Sequence, residues 1–148
     1  MSIVEVLTYP NPILRQKSQP VKNFDANLKQ LIRDMYDTMD SKNGIGLAAP
    51  QIGVLEQVVV VSYEGEDIEL INPVIEEIFG KPIVMEEGCL SLPEVHVDVE
   101  RKEGIRLSAQ SVTGKTIQLQ YEGMIARIIQ HEIDHLNGVL ITDKGIAK

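Results

Sequence analysis

The stretch Gln130-His131-Glu132-Ile133-Asp134-His135-Leu136-Asn137-Gly138 decides how the rest of the chain is read. On a helix, residues four apart lie on one face, so His131 and His135 can grip a single metal ion. Glu132, one step around from the first imidazole, can then reach a water beside that metal and carry its proton. Met124, Ile125, Ile128, Ile129, Ile133 and Leu136 surround the motif on more than one face. The spacing therefore predicts a largely buried helix over 122–137, stopped by Gly138. Two histidines paired by chance would face solvent or a backbone carbonyl. Here two of the three histidines sit on an otherwise apolar helix, where an unpartnered polar cluster would be costly. Metal-assisted hydrolysis is the chemistry implied.

A catalytic zinc-type site needs a third protein ligand. An extended HExxHxxGxxH motif would place a histidine where Ile141 stands, and the residues after His135 include no glutamate. The ligand is therefore expected upstream, among Cys89, His96 and the carboxylates. Cys89 stands out because thiolate binds Zn(II) or Fe(II) strongly, and because Gly88 and Ser91 suit a backbone that turns a side chain toward a pocket. In the absence of HExxH, the lone cysteine would read as a small buried hydrophobe. His96, on a predicted strand, reads as a partner for a local polar group or a cleft-lining residue.

Outward from these motifs, Leu28, Leu31, Ile32, Met35 and Met39 recur at three- and four-residue steps and predict an amphipathic helix over 25–40, ended by Asn43-Gly44. Short strands are expected at 3–7, 57–63, 70–78, 82–86, 95–101, 104–111 and 115–121, with a hairpin turn at 112–115 and a rigid turn at Tyr9-Pro10-Asn11-Pro12. The stretch Gly44-Ile45-Gly46-Leu47-Ala48-Ala49-Pro50-Gln51 has no lysine to follow its glycines, so it reads as a loop that lets a substrate backbone approach, not as a phosphate cradle. Its Gln51 offers an N–H to a developing oxyanion. The order of elements predicts an α+β fold: mostly antiparallel sheets packed around a central C-terminal helix carrying HExxH, with an N-terminal amphipathic helix.

The 148 residues carry 22 acidic and 14 basic side chains, a formal charge of −8. That balance disfavours direct nucleic-acid binding. No apolar run approaches the ~18 residues of a membrane span, and the opening lacks the basic and apolar regions of a signal peptide. With one cysteine no intrachain disulfide is available, so a reducing, cytoplasmic location is expected. No repeat, linker or composition shift divides the chain, which is read as a single domain over 1–148.

Three segments in order, GIGLAAPQ at 44–51, EGCLS at 87–91 and QHEIDHLNG at 130–138, resemble the signature motifs of the peptide deformylases. The opening YPNPILR at 9–15 and the helix before the first motif are similar to the bacterial form. The resemblance implies Cys89, His131 and His135 as ligands of one divalent metal ion, Fe(II) in the cell, with Zn(II), Ni(II) or Co(II) as substitutes. It implies Glu132 as general acid/base toward the attacking water, and Gln51 with the Leu90 backbone N–H as oxyanion donors. Ile45, Gly46, Glu87 and Gly88 would hold the peptide backbone or line its site, and Ile45, Met124 and Ile128 would line a methionine pocket. The implied reaction is hydrolysis of the N-formyl group from formyl-methionyl nascent peptides, releasing formate.

Many bacterial members continue into a C-terminal helix that contacts the ribosome, whereas this sequence ends at Lys148. Docking by that route is therefore not carried over from the resemblance, and a transient ribosome contact is the most that is expected. Two other readings share the HExxH: a small zinc peptidase, which would cleave unformylated peptides, and an inactive metal-stabilised domain that binds nascent N-termini. The presence of Glu132 and Gln51 argues against the latter, since binding needs no proton shuttle.

Overall fold

Four consecutive valines explain how the layers are assembled. The structure, a computed structural model, describes residues 3–146. Strand β2 (Val58–Tyr63) is buried on both faces. Because side chains alternate across a strand, Val58 and Val60 point to one side and Val59 and Val61 to the other. The first pair packs with Leu28, Ile32, Met35 and Met39 of helix α1 (Ala26–Ser41), and the second with Ala126, Ile128, Ile129 and Leu136 of helix α2 (Met124–Leu136). Asp25 caps α1, accepting a hydrogen bond from the Leu28 N–H at 3.1 Å.

Strands β1 (Gly46–Ala48), β2, β3 (Glu66–Cys89), β4 (Leu92–Gln110) and β5 (Thr116–Glu122) form one antiparallel sheet in sequence order, where several sheets were expected. The chain is α+β, with α2 carrying the HExxH against the sheet. The predicted breaks at Phe79-Gly80-Lys81 and Lys102-Glu103 do not end strands. A register shift between Phe79 and Pro82 absorbs the proline, so the expected segments 70–78 with 82–86, and 95–101 with 104–111, fuse into β3 and β4. Gly104 is needed in this pairing because a Cβ there would lie 2.3 Å from the Phe79 ring.

Two further expectations are corrected. Residues 3–7 form no strand: Leu7 N–H donates to the Gln51 carbonyl at 2.7 Å and Tyr9 N–H to that of Ser91 at 2.8 Å, so bonds to two separate elements replace a ladder. The 44–51 segment is not wholly a loop. Gly46–Ala48 adds to the outer edge of β2, and Ala49–Ile52 makes a single 3-10 turn.

After α2, Gly138 adopts a left-handed φ of 73°. A Cβ there would come within 2.3 Å of the Arg15 carbonyl oxygen, so the turn at Pro12–Arg15 sits directly under the helix end. A short helix α3 (Ile141–Lys144) follows. No described helix is long and apolar enough to cross a membrane.

Candidate metal centre

The hairpin joining β3 to β4 turns at Cys89 to Leu92, and its tip meets the buried face of α2. Cys89 Sγ lies 3.2 Å from His135 Nε2. One donor atom each from Cys89, His131 and His135 fits within 4.8 Å of the others, the one such group found among the described residues. His96 is exposed and flanks Gly88, outside this group.

Glu87, two residues before the cysteine on β3, is fixed in place. Arg101 grips its carboxylate with Nε at 2.7 Å and Nη2 at 3.0 Å, and Arg127 Nη1 adds a third contact at 2.5 Å. The remaining partner is His131 Nδ1, 3.1 Å from Glu87 Oε1. Burial pushes the Glu87 carboxyl up, but the hydrogen bonds and charges of His131 and Arg101 more than reverse this and bring it to about 2. An ionised carboxylate only accepts, so Nδ1 carries a proton and Nε2 is the atom left for a metal. The Glu87 side chain thus serves the histidine and is not free to hold a peptide.

The charge balance around the donors suits a cation. Burial by itself would lower His131, yet the Glu132 charge and the contacts with Cys89 and Glu87 raise it to about 10. A divalent ion would meet the same demand for positive charge and displace the Nε2 proton. His135 is driven down by burial to about 3 and offers a neutral imidazole. Two nitrogens and a thiolate make a donor set suited to Zn(II) or Fe(II).

Burial pushes Glu132 up to about 7. Its Oε2 stands 3.9 Å from His131 Nε2, while Oε1 is buried with no hydrogen-bond partner. A carboxylate held in this state is suited to taking and returning a proton near neutral pH. Strand β1 runs close above it: a Cβ on Gly46 would lie 2.6 Å from Glu132 Oε2 and 2.8 Å from Ile128 Cγ2. Because the obstructing atoms are side-chain ends, Gly46→Ala should displace the carboxylate more than the backbone. A 1 Å misplacement near the chemistry can cost about 100-fold. The expected result is a kcat lowered by roughly that factor with little change in Tm, checked by kinetics and thermal unfolding of the same preparation.

Gln51 is buried with its amide oriented at both ends. Oε1 accepts the Ala48 N–H at 2.9 Å, and Nε2 points to Ser91 Oγ at 3.1 Å and Cys89 Sγ at 3.6 Å. One N–H thus faces the thiolate side of the centre. A cleft of about 690 Å³ opens over these groups, lined by Ile45, Gly46, Gln51, Glu87, Gly88, Cys89, Leu90, Met124, Ile128, His131 and Glu132 among others. His135 lies beneath it. The sequence reading missed Arg101, Arg127 and Asp134, whose Oδ2 accepts from Arg101 Nη1 at 2.9 Å. Arg127 did leave a signal, because it stands four residues before His131 on the apolar side of the helix.

A helix presenting two imidazoles and a carboxylate to a half-buried cysteine sulfur, beneath an open cleft, is the arrangement of a mononuclear metallohydrolase centre. Comparison with known proteins narrows the class. The sequence model of the polypeptide deformylase family matches residues 3–148, and the chain belongs to that family of hydrolases. A peptide deformylase of Caldicellulosiruptor bescii is 48% identical over 99% of this chain and 87% of its own length. The chloroplastic peptide deformylase 1B of tomato is 44% identical over 95% of this chain, which spans about half (52%) of that longer protein. The crystal structure of the Thermotoga maritima peptide deformylase superposes with a TM-score of 0.97 at 41% identity, covering 99% of this chain and 100% of the other.

Proposed function

We propose that this protein removes the N-formyl group from formyl-methionine at the start of nascent polypeptides, releasing formate and a free α-amine. The observation that carries this reading is the convergence of Cys89, His131 and His135 with the Glu132 carboxylate, one oxygen of which has no hydrogen-bond partner, and the oriented Gln51 amide under one cleft. Cys89, His131 and His135 would hold one divalent ion, Fe(II) in the cell with Zn(II), Ni(II) or Co(II) able to replace it. Such an ion supplies Lewis-acid stabilisation of negative charge and acidifies water.

The protein's own groups do the rest. Glu132 accepts the proton of the attacking water as oxygen adds to the formyl carbon, then delivers it to the amine nitrogen as the C–N bond breaks. Gln51 Nε2 and the Leu90 backbone N–H donate to the oxyanion that forms between these steps. The peptide backbone lies as an added strand between the Ile45-Gly46 edge and the Glu87-Gly88 backbone. Ile45, Met124 and Ile128 offer the apolar surface for the methionine side chain. On this reading the chain is one catalytic domain, working in the cytoplasm on chains leaving the ribosome, with at most a transient ribosome contact.

The test is formate release from a formyl-Met-Ala peptide by protein prepared without oxygen, because a thiolate-bound Fe(II) site is prone to oxidation. Chelation should abolish the activity and added metal restore it. Metal-loaded protein that releases no formate overturns the proposal, and cleavage of unformylated peptides would make it a peptidase.

A further inference from the structure

Arg127 has no role in the chemistry above, yet it is buried in the wall of the cleft and joins three elements. It sits on α2 one turn before His131. Its Nη1 reaches Glu87 Oε2 at 2.5 Å and the Val99 carbonyl at 3.1 Å, and its Nη2 reaches the Ile83 carbonyl at 2.5 Å. Ile83 and Glu87 belong to β3 and Val99 to β4. One guanidinium therefore ties the helix carrying His131, Glu132 and His135 to both strands of the hairpin that carries Cys89.

We propose that Arg127 is a positioning residue for the metal centre, setting the distance between α2 and the Cys89 hairpin and holding Glu87 on His131 Nδ1. This rests on the reading of Cys89, His131 and His135 as metal ligands. Arg101 cannot replace it: that residue grips Glu87 from β4 and meets α2 only through Asp134, whose side chain is partly exposed. The guanidinium's fixed fork allows three acceptors on two strands to be satisfied at once, which a lysine ammonium on a flexible stem cannot reproduce. Groups that orient a ligating imidazole are typically worth about 10- to 100-fold in metal affinity.

The experiment compares wild type, Arg127→Lys and Arg127→Met by Co(II) titration against a competing chelator, alongside kcat and KM for the formyl peptide. Arg127→Met should still fold, because Arg101 keeps its bidentate grip on Glu87, and Arg127→Lys keeps the charge. Co(II) affinity is expected to fall by about 10- to 100-fold in Arg127→Met and less in Arg127→Lys. The Co(II) absorption bands should shift in both, with KM unchanged in metal-saturated protein. Unchanged affinity and spectra in both variants overturn the inference, as does a raised KM with unchanged affinity, which would place Arg127 on the substrate. A wild type that takes up no Co(II) at Cys89 would overturn the metal-site reading itself.

Discussion

Replacing Glu132 with alanine is expected to slow formate release by about 100- to 10,000-fold while the protein keeps its metal. The two effects separate because of where the side chain lies. Glu132 is not among the three donors that converge, and its nearer oxygen stays 3.9 Å from His131 Nε2. Its other oxygen is buried and bonded to nothing, so folding gains little from the carboxylate and bears the cost of burying it. Glu132→Gln, which keeps the shape and removes the charge, should match the alanine variant in lost turnover and unfold at the same Tm as wild type or higher. Such a residue is retained for what it does and not for what it holds together. Metal analysis, kinetics and thermal unfolding on one preparation decide the matter. A rate near that of wild type would remove Glu132 from the proton-transfer role.

The two long helices, α1 and α2, were readable in the sequence because each carries a periodic apolar pattern that tertiary structure only reinforces. Leu28, Ile32, Met35 and Met39 are all buried along one stripe of α1. The apolar positions around His131 and His135 gave α2 its central place, and the spacing of those two residues gave the imidazole pair. The strand boundaries were harder to read. Gly80 and Pro82 are normally punctuation, but whether they end a strand or sit in a bulge depends on a partner far along the chain, here Phe79 over Gly104 and Lys102 beside Pro82. Strand β1 was likewise hidden, since three residues of Gly-Leu-Ala carry no strand signal until β2 offers them an edge.

The same dependence on distant partners explains what was and was not legible in the site. Cys89 and the HExxH could be named because their chemistry is intrinsic to residue type. The part played by Glu87 could not, because its carboxylate finds Arg101, Arg127 and His131 at separations of 14, 40 and 44 residues. The resemblance implied only a role for the Glu87-Gly88 backbone beside the peptide; the side chain, whose partners lie on β4 and α2, supports the centre. Arg127 shows that a charged residue on the buried face of a helix is evidence in itself. Burying a cation is costly unless its partners are arranged in advance, and here three acceptors on two strands meet it.

Replacing Cys89 with alanine should remove the metal, and with it all formate release. The thiolate is the one donor that comes from the β3–β4 hairpin, while both imidazoles come from α2, so its loss leaves a two-point site on a single helix. The remaining ligands are also the harder ones, which hold Zn(II) or Fe(II) less firmly without sulfur. Since an orienting group alone is worth up to about 100-fold in affinity, a direct ligand should cost at least that much. The fold should survive. Cys89 is half-buried at the margin of a cluster formed by Leu14, Leu92, Val99, Leu140 and Ile141, and those side chains stay packed without it. Circular dichroism like that of wild type, with metal absent by elemental analysis, is therefore the expected pair of results. Cys89→Asp, which restores an anionic donor of the wrong softness, should recover part of the metal. A Cys89→Ala protein that purifies with its full metal complement would show that another residue completes the site. Glu132 would be the first to suspect, since its Oε2 already lies 3.9 Å from His131 Nε2.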